Sequence, residues 1–281
     1  MTQKEFFIDT ADLDYIEKTW EKIAPFVNKE NFAGVTTNPS AMAKISVHAV
    51  SGMRDRVRKL CELTSKIRND NLGVVYVQIP NSEMSVDDVE SYIKLVKSFS
   101  DGQTKVALKI PPYKKYLNMV EKFKDQIDFN VTGVADCATA LMSFTYDVKF
   151  VSIIPGRMEE RGINASQQIE YVNKRNGKTG KIITGSMRTL EGLRRAIDVD
   201  TVPTIGSRVF DQIVVNEEQI KNFVCMWDKN YMSETLLETK FSPNTSTEMT
   251  KLSVEFFQQM DEFGAELYKD FLAVNKSNKS L

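Results

Sequence analysis

One histidine and three cysteines in 281 residues leave little room for several of the commonest catalytic and structural chemistries. His48 stands alone, so histidine-based nucleophilic triads and multi-histidine metal sites are largely excluded, and a surface position is its expected role. Cys61, Cys137 and Cys225 lie far apart and form no C-x-x-C pair. That spacing argues against disulfides and structural zinc and for a reducing compartment. Charge of one sign is also lacking: Lys+Arg 37 against Asp+Glu 38 gives a formal net charge of -1. There is no global basic field for nucleic acid or for an anionic membrane, so any anion must be held locally. No apolar run approaches a membrane span, and the segment after Met1–Thr2–Gln3–Lys4–Glu5 is too short for a signal peptide, so a cytoplasmic location is expected.

What is there is ordinary in amount and informative in order. Hydrophobic residues at 42% and charged residues at 27% fit a folded globular protein, and the length suits one large domain. Strand-like runs at 6–9, 33–37, 74–79, 105–110, 129–132, 150–154, 181–185 and 201–205 alternate with helical patterns near 12–24, 49–68, 86–98, 113–124, 135–145, 165–175, 189–197 and 206–223. Asp12, Ser85 and Ser207 are placed to cap three of those helices. Eight β/α units in this length predict an α/β fold, a closed (β/α)8 TIM barrel over 1–232, followed by a linker and an amphipathic C-terminal helix over 233–281. In that tail Met249, Leu252, Phe256, Met260, Phe263, Leu267 and Phe271 recur at steps of three and four. Such a stripe is expected to lie on protein: its own barrel, the rim of the site, or a neighbouring subunit of a homo-oligomer.

Barrel sites lie at the C-terminal ends of the strands. Those ends carry Asp9, Thr36–Thr37–Asn38, Gln78, Lys109, Asn130 and Thr132, Ser152 and Gly185–Ser186, with Arg157 and Arg188 just beyond. Strand alternation puts Val106, Leu108 and Ile110 on one face and Lys105, Ala107 and Lys109 on the other, so Lys109 points inward at a strand end. Desolvation there disfavours the ammonium form and leaves a neutral amine able to attack a carbonyl and form a Schiff base. The same parity places Asp9 with Phe7, Gln78 with Tyr76, and Thr132 with Asn130. A carboxylate for proton transfer and a hydroxyl or amide to hold water are what Schiff-base chemistry needs around its lysine. Pro155–Gly156–Arg157 and Gly185–Ser186–Met187–Arg188 offer two arginines and a serine for a phosphate after strands six and seven, where barrels more often use seven and eight. In Gly34–Val35–Thr36–Thr37–Asn38–Pro39–Ser40, Thr37 or Asn38 is placed to cap a helix that Pro39 opens.

With those residues in view the chain resembles the transaldolase family, in the small-barrel branch that includes the fructose-6-phosphate aldolases. Phe7–Ile8–Asp9–Thr10–Ala11–Asp12–Leu13 and Gly34 to Ser40 resemble two of its motifs. Lys109 in Leu108–Lys109–Ile110–Pro111 falls on the Schiff-base lysine, Asn130–Val131–Thr132 on the Asn-x-Thr element, and Gly156–Arg157 and Ser186–Met187–Arg188 on the phosphate elements. The resemblance runs over roughly residues 6 to 230. It implies catalytic Lys109, Asp9, Thr132 and Gln78, substrate contacts from Thr37, Asn38, Asn130 and Ser152, a phosphate site of Arg157, Ser186 and Arg188, and sugar phosphate substrates. No metal or organic cofactor is implied, because the iminium is itself the electron sink. Two positions depart from the transaldolase pattern: Gln78 stands where most transaldolases have Glu, as in the aldolases, and Ile154 where the family has an aromatic. Asn130 is transaldolase-like. Transfer of a dihydroxyacetone unit is therefore the expected reaction, with simple aldol cleavage as the alternative. A catalytically silent barrel serving binding or assembly is the reading of another class, against which the intact Lys109 and Asp9 speak.

Overall fold

Strands β1 (Phe6–Asp9), β2 (Phe32–Thr36), β3 (Val74–Gln78), β4 (Lys105–Ile110), β5 (Phe129–Val134), β6 (Phe150–Ile153), β7 (Lys181–Thr184) and β8 (Val202–Gly206) pair in parallel in chain order, and β8 returns to β1 to close the barrel. The computed structural model describes residues 5–70, 72–100, 102–176, 180–227 and 247–279. Helices α1 (Leu13–Ile23), α2 (Pro39–Lys44), α3 (Val50–Arg68), α4 (Val86–Lys97), α5 (Lys114–Phe123), α6 (Cys137–Phe144), α7 (Pro155–Glu159), α8 (Ala165–Arg175), α9 (Leu190–Asp198), α10 (Ser207–Ile213) and α11 (Glu217–Cys225) follow the strands, and α12 (Thr247–Lys279) ends the chain. The (β/α)8 barrel expected from the alternation is the observed fold. The linker expected over 233–246 lies outside the described residues.

Two apolar regions hold this architecture. Outward-facing strand residues such as Ile8, Val35, Val75, Leu108, Val131 and Val151 meet the inner faces of the helices in one continuous core. Inward-facing Phe7, Ala33, Val74, Tyr76, Ala107, Phe150, Ile183 and Val202 fill the barrel itself. Phe7, Tyr76 and Phe150 pack edge to face there, with ring centres 5.6–6.1 Å apart. Two residues further along the same strands, one pleat up, stand Asp9, Gln78, Lys109, Ser152, Gly185 and Thr204. The aromatic plug is thus the floor under a polar layer at the C-terminal mouth.

Asp12 accepts from Tyr15 N and Ser85 from Asp88 N, as capping was expected to run. Ser207 does not cap: Gly206 passes straight from β8 into α10, and Ser207 is already helical. The expected single helix over 206–223 is two, because the chain breaks at 214–216 and Asn216 recaps it by accepting from Gln219 N. His48 is exposed and sits 3.2 Å from Glu266 of α12.

The tail helix packs across the C-terminal mouth of its own barrel. Asp261 accepts from Ser82 N and Oγ, each at 2.6 Å, Asp270 accepts from Val50 N at the start of α3, and Ser253 donates to the Gly133 carbonyl. Met249, Leu252, Phe256, Met260, Leu267 and Phe271 of the expected stripe are buried, joined by Phe257. Phe263 is not; it is 40% exposed. The inward position at that turn belongs to Gly264, where the helix backbone meets Pro80 so closely that a Cβ would lie 1.8 Å from the Pro80 carbonyl oxygen. A helix lying that close presents a bare backbone at the crossing and turns the neighbouring ring outward.

Candidate active site

A cleft of about 500 Å³ opens at the C-terminal mouth, a size that suits a small metabolite. Asp9, Asn38, Lys109, Thr132, Ser152, Arg157, Ser186 and Arg188 all line it, so eight of the eleven residues singled out in the sequence share one cavity. Gln78 and Asn130 lie buried beneath the lining. Thr37 is the exception in kind. An extra residue in β2 shifts its register against β1, with Gly34 at φ +138, so Ala33 and Thr36 both face the barrel axis. Thr37 therefore points away, and its hydroxyl donates to the Tyr76 carbonyl at 3.0 Å. Its backbone serves the site instead: the Thr37 carbonyl accepts from Lys109 Nζ at 3.2 Å.

Lys109 is 6% exposed, stands on Ala107 and the aromatic plug, and makes no salt bridge among the described residues. Burial pulls its amine below the ordinary lysine range, against a weaker opposing pull from the Asp9 charge. The shift enlarges the neutral fraction of the amine, the form that acts as a nucleophile. Asp9 is held by a relay of hydroxyls: Thr36 Oγ1 donates to Asp9 Oδ1 at 2.8 Å, which leaves Thr204 Oγ1, 2.6 Å from Thr36, to donate into Thr36. The relay fixes one carboxylate oxygen and leaves the other available.

Asn38 caps α2 through Oδ1, which accepts from Ala41 N at 2.9 Å, so its side-chain NH₂ remains for a ligand. Ser152 Oγ donates to Asn130 Oδ1 at 2.8 Å, fixing that amide. Gln78 Oε1 and Asn130 Nδ2 are buried without a partner among the described residues. An acceptor and a donor left unpaired beside a lysine are costly unless something polar occupies the space between.

The wall that carries Arg157, Ser186 and Arg188 is built by a close approach. Gly156 at the start of α7 lies where a Cβ would come within 1.9 Å of the Ser186 carbonyl oxygen, so only glycine lets α7 and the turn after β7 meet. Ser186 adopts φ 59 there. The meeting brings Arg157, Ser186 and Arg188 into one wall, where Arg188 Nε donates to Glu160 Oε1 at 2.9 Å. Burial and the Arg188 charge both make Arg157 a poorer holder of its proton than a solvated arginine. An anion between the two guanidinium groups relieves that repulsion.

The sequence reading had not singled out several further groups in the cleft. Thr204 follows Val202 by one pleat, so the parity that found Gln78 above Tyr76 would have found it too. Arg208, in the first turn of α10, and Lys44, at the end of α2, also line the cavity, as does Tyr15, which donates to Asp211 Oδ1 at 2.9 Å. Phe256, Gln259 and Met260 come from α12. Phe256 and Met260 belong to the apolar stripe read in the sequence, whereas no local motif points to Gln259, whose place depends on the path of the tail.

Comparison with known proteins shows the family and the fold. The model of the transaldolase/fructose-6-phosphate aldolase family matches residues 6–271. A protein of Thermodesulfovibrio yellowstonii named "probable transaldolase" is 26% identical over 233 residues, covering 80% of this chain and 98% of that protein. One of Bacillus cereus named "probable transaldolase 1" is 27% identical with the same coverage. Among solved structures, the thiamine phosphate pyrophosphorylase of Pyrococcus furiosus superposes with a TM-score of 0.51 at 8% identity, over 80% of this chain and 94% of that one, a likeness of fold alone.

Proposed function

The chain belongs to the transaldolase/fructose-6-phosphate aldolase family, and on that premise we propose that it is a Schiff-base enzyme that cleaves a ketose phosphate and carries the dihydroxyacetone unit on Lys109. The observation that carries this reading is the buried Lys109 amine, with no carboxylate partner among the described residues, at the floor of a polar cleft. Its lone pair attacks the ketose C2 carbonyl to give a carbinolamine, and loss of water gives the imine. Asp9 takes the proton of the C4 hydroxyl as the C3–C4 bond breaks, the electron pair of that bond flows into the iminium, and an aldose phosphate leaves. The resulting enamine on Lys109 then adds to the carbonyl of an acceptor aldose phosphate, with Asp9 returning its proton to the new hydroxyl, and water hydrolyses the new iminium to release the product ketose phosphate and the Lys109 amine.

Thr132 and Gln78 hold the water that relays protons to and from the nitrogen. The unpaired Gln78 Oε1 is suited to accept from such a water. Asn38, Asn130 and Ser152 take the substrate hydroxyls, and Arg157, Ser186 and Arg188 the phosphate. Fructose 6-phosphate or sedoheptulose 7-phosphate is the donor by this reading, in the cytoplasm and within pentose phosphate metabolism, and transfer is favoured by Asn130 and by the names of the relatives.

Gln78 supports a second reading, a fructose-6-phosphate aldolase that releases free dihydroxyacetone, because the residue at this position resembles that of the aldolases, although its amide orients water without exchanging a proton and so slows the enamine protonation that release requires. The deciding assay compares dihydroxyacetone release from fructose 6-phosphate with transfer to erythrose 4-phosphate at one enzyme concentration. Transfer is expected to exceed release. Release exceeding transfer would reject the first reading for the second, and Gln78→Glu should then move the ratio toward transfer.

A further inference from the structure

Arg157 is oriented by a residue outside the barrel. Its Nη2 donates to Gln259 Oε1 of α12 at 2.6 Å, and its guanidinium carbon lies 5.2 Å from the centre of the Phe256 ring, one turn earlier on the same helix. Its Nε is buried without a partner, and Arg157 joins no ion pair among the described residues, whereas neighbouring Arg188 is paired with Glu160. The difference is chemical. An amide oxygen fixes the direction of one guanidinium N–H and leaves the positive charge intact, where a carboxylate would cancel much of the field that an anion needs. The remaining terminal N–H groups of Arg157 are free to turn to a ligand.

The helix that supplies Gln259 forms part of the cavity wall, and its anchors hold it at the same mouth of the barrel, Ser253 on Gly133 near the end of β5 and Asp261 and Gly264 on the loop after β3. An anion held by Arg157 therefore sits under α12.

We infer that Gln259 is a positioning residue for Arg157, and that docking of α12 and binding of the substrate's phosphate reinforce each other. This rests on the reading above that Arg157 takes the phosphate. The coupling follows from linkage: a ligand that binds the docked form better than the open one must also slow the opening of the helix.

The test uses the full chain and inorganic phosphate as the probe. Hydrogen exchange is followed in peptides from 247–279 with and without phosphate, and phosphate affinity is measured by calorimetry for the wild type, Gln259→Met, Gln259→Glu and Arg157→Met. Phosphate should slow exchange in α12 of the wild type and not in Arg157→Met. Gln259→Met keeps the length and loses the acceptor, so phosphate should bind about three- to ten-fold more weakly, as the loss of one orienting hydrogen bond allows. Gln259→Glu should weaken it further, because its carboxylate competes for the arginine. With a phosphorylated ketose, KM should rise in both variants by a larger factor than kcat falls. A merely structural role would lower the melting temperature of both without ranking Glu below Met in affinity. Exchange in wild-type α12 indifferent to saturating phosphate would overturn the inference, as would both Gln259 variants binding phosphate like the wild type. The wild-type exchange measurement needs no variant to fold. None of the phosphate readouts passes through Lys109, so an absent imine would sink the reaction reading alone, and a normal imine over an indifferent helix would sink this inference alone.

Discussion

An ammonium group at the end of β4 loses its water to Ala107 and the ring of Tyr76 below, and gains in return one backbone acceptor, the Thr37 carbonyl. Desolvation is the larger effect on Lys109 and the Asp9 charge the smaller opposing one, so the folded amine sheds its proton below the reference value of 10.5. The sign of the consequence is fixed. The neutral fraction grows as pH rises, so the rate of imine formation with dihydroxyacetone should climb to a plateau with a midpoint below 10.5. Between that midpoint and the unfolded value the unfolded chain binds more protons than the folded one, so the Lys109 contribution to stability rises with pH across the same window. Asp9→Asn removes the charge that favours the ammonium and should move the midpoint lower still. Reductive trapping with dihydroxyacetone needs no C–C cleavage, so the profile is measurable in that variant; a midpoint moving up would show that Asp9 does not act on Lys109 through its charge. At this scale parity made most of the site legible. It placed Asp9, Gln78, Lys109 and Thr132 on inward rows, whereas the direction of Thr37 was not legible, because an unpaired residue in β2 reverses the alternation after Ala33.

Elements meet in this protein where side chains are missing. Gly156 lets α7 touch the turn after β7, and Gly264 lets α12 cross the loop after β3. In Gly264→Ala the new Cβ would stand 1.8 Å from the backbone oxygen of Pro80, and neither partner is a flexible side-chain end. Relief requires α12 to lift. The cost of such overpacking is about 1–3 kcal/mol, and melting should fall by about 2–4 °C for each kcal/mol in a chain of this size. Because Gln259 lies on the same helix, phosphate affinity should fall with it. Unchanged melting by differential scanning calorimetry would show that the helix is not held as closely as the crossing implies. A sequence marks such crossings poorly. The tail stripe was visible as a period, but the turn at which glycine replaced a large residue was not, so Phe263 was placed inside and Gly264 was passed over.

The barrel as a whole was readable because eight strand-to-helix alternations leave few other closed arrangements, and because the strand ends fixed where chemistry had to gather. The path of α12 was not readable. An apolar stripe states that a partner exists without saying which, and only the crossing at Pro80, the anchors at Ser82 and Val50 and the Gln259 contact with Arg157 place it over the mouth. A chain ending at residue 246 should therefore melt at a lower temperature, since burying each large apolar side chain of the stripe contributes roughly 1.5–3 kcal/mol. It should also show a raised KM for phosphorylated ketoses; melting and kinetics equal to those of the full chain would mean that the helix has no partner in solution.

Everything proposed for the reaction depends on one covalent bond, and that bond can be looked for directly. The full-length protein is reduced with borohydride in the presence of fructose 6-phosphate, its intact mass is read, and the modified peptide is mapped. The account predicts one adduct of the dihydroxyacetone unit, on Lys109, and none in a folded Lys109→Arg protein. An adduct mapped to Lys105 or any other lysine, or an unmodified protein that still turns over the ketose phosphate, would contradict it.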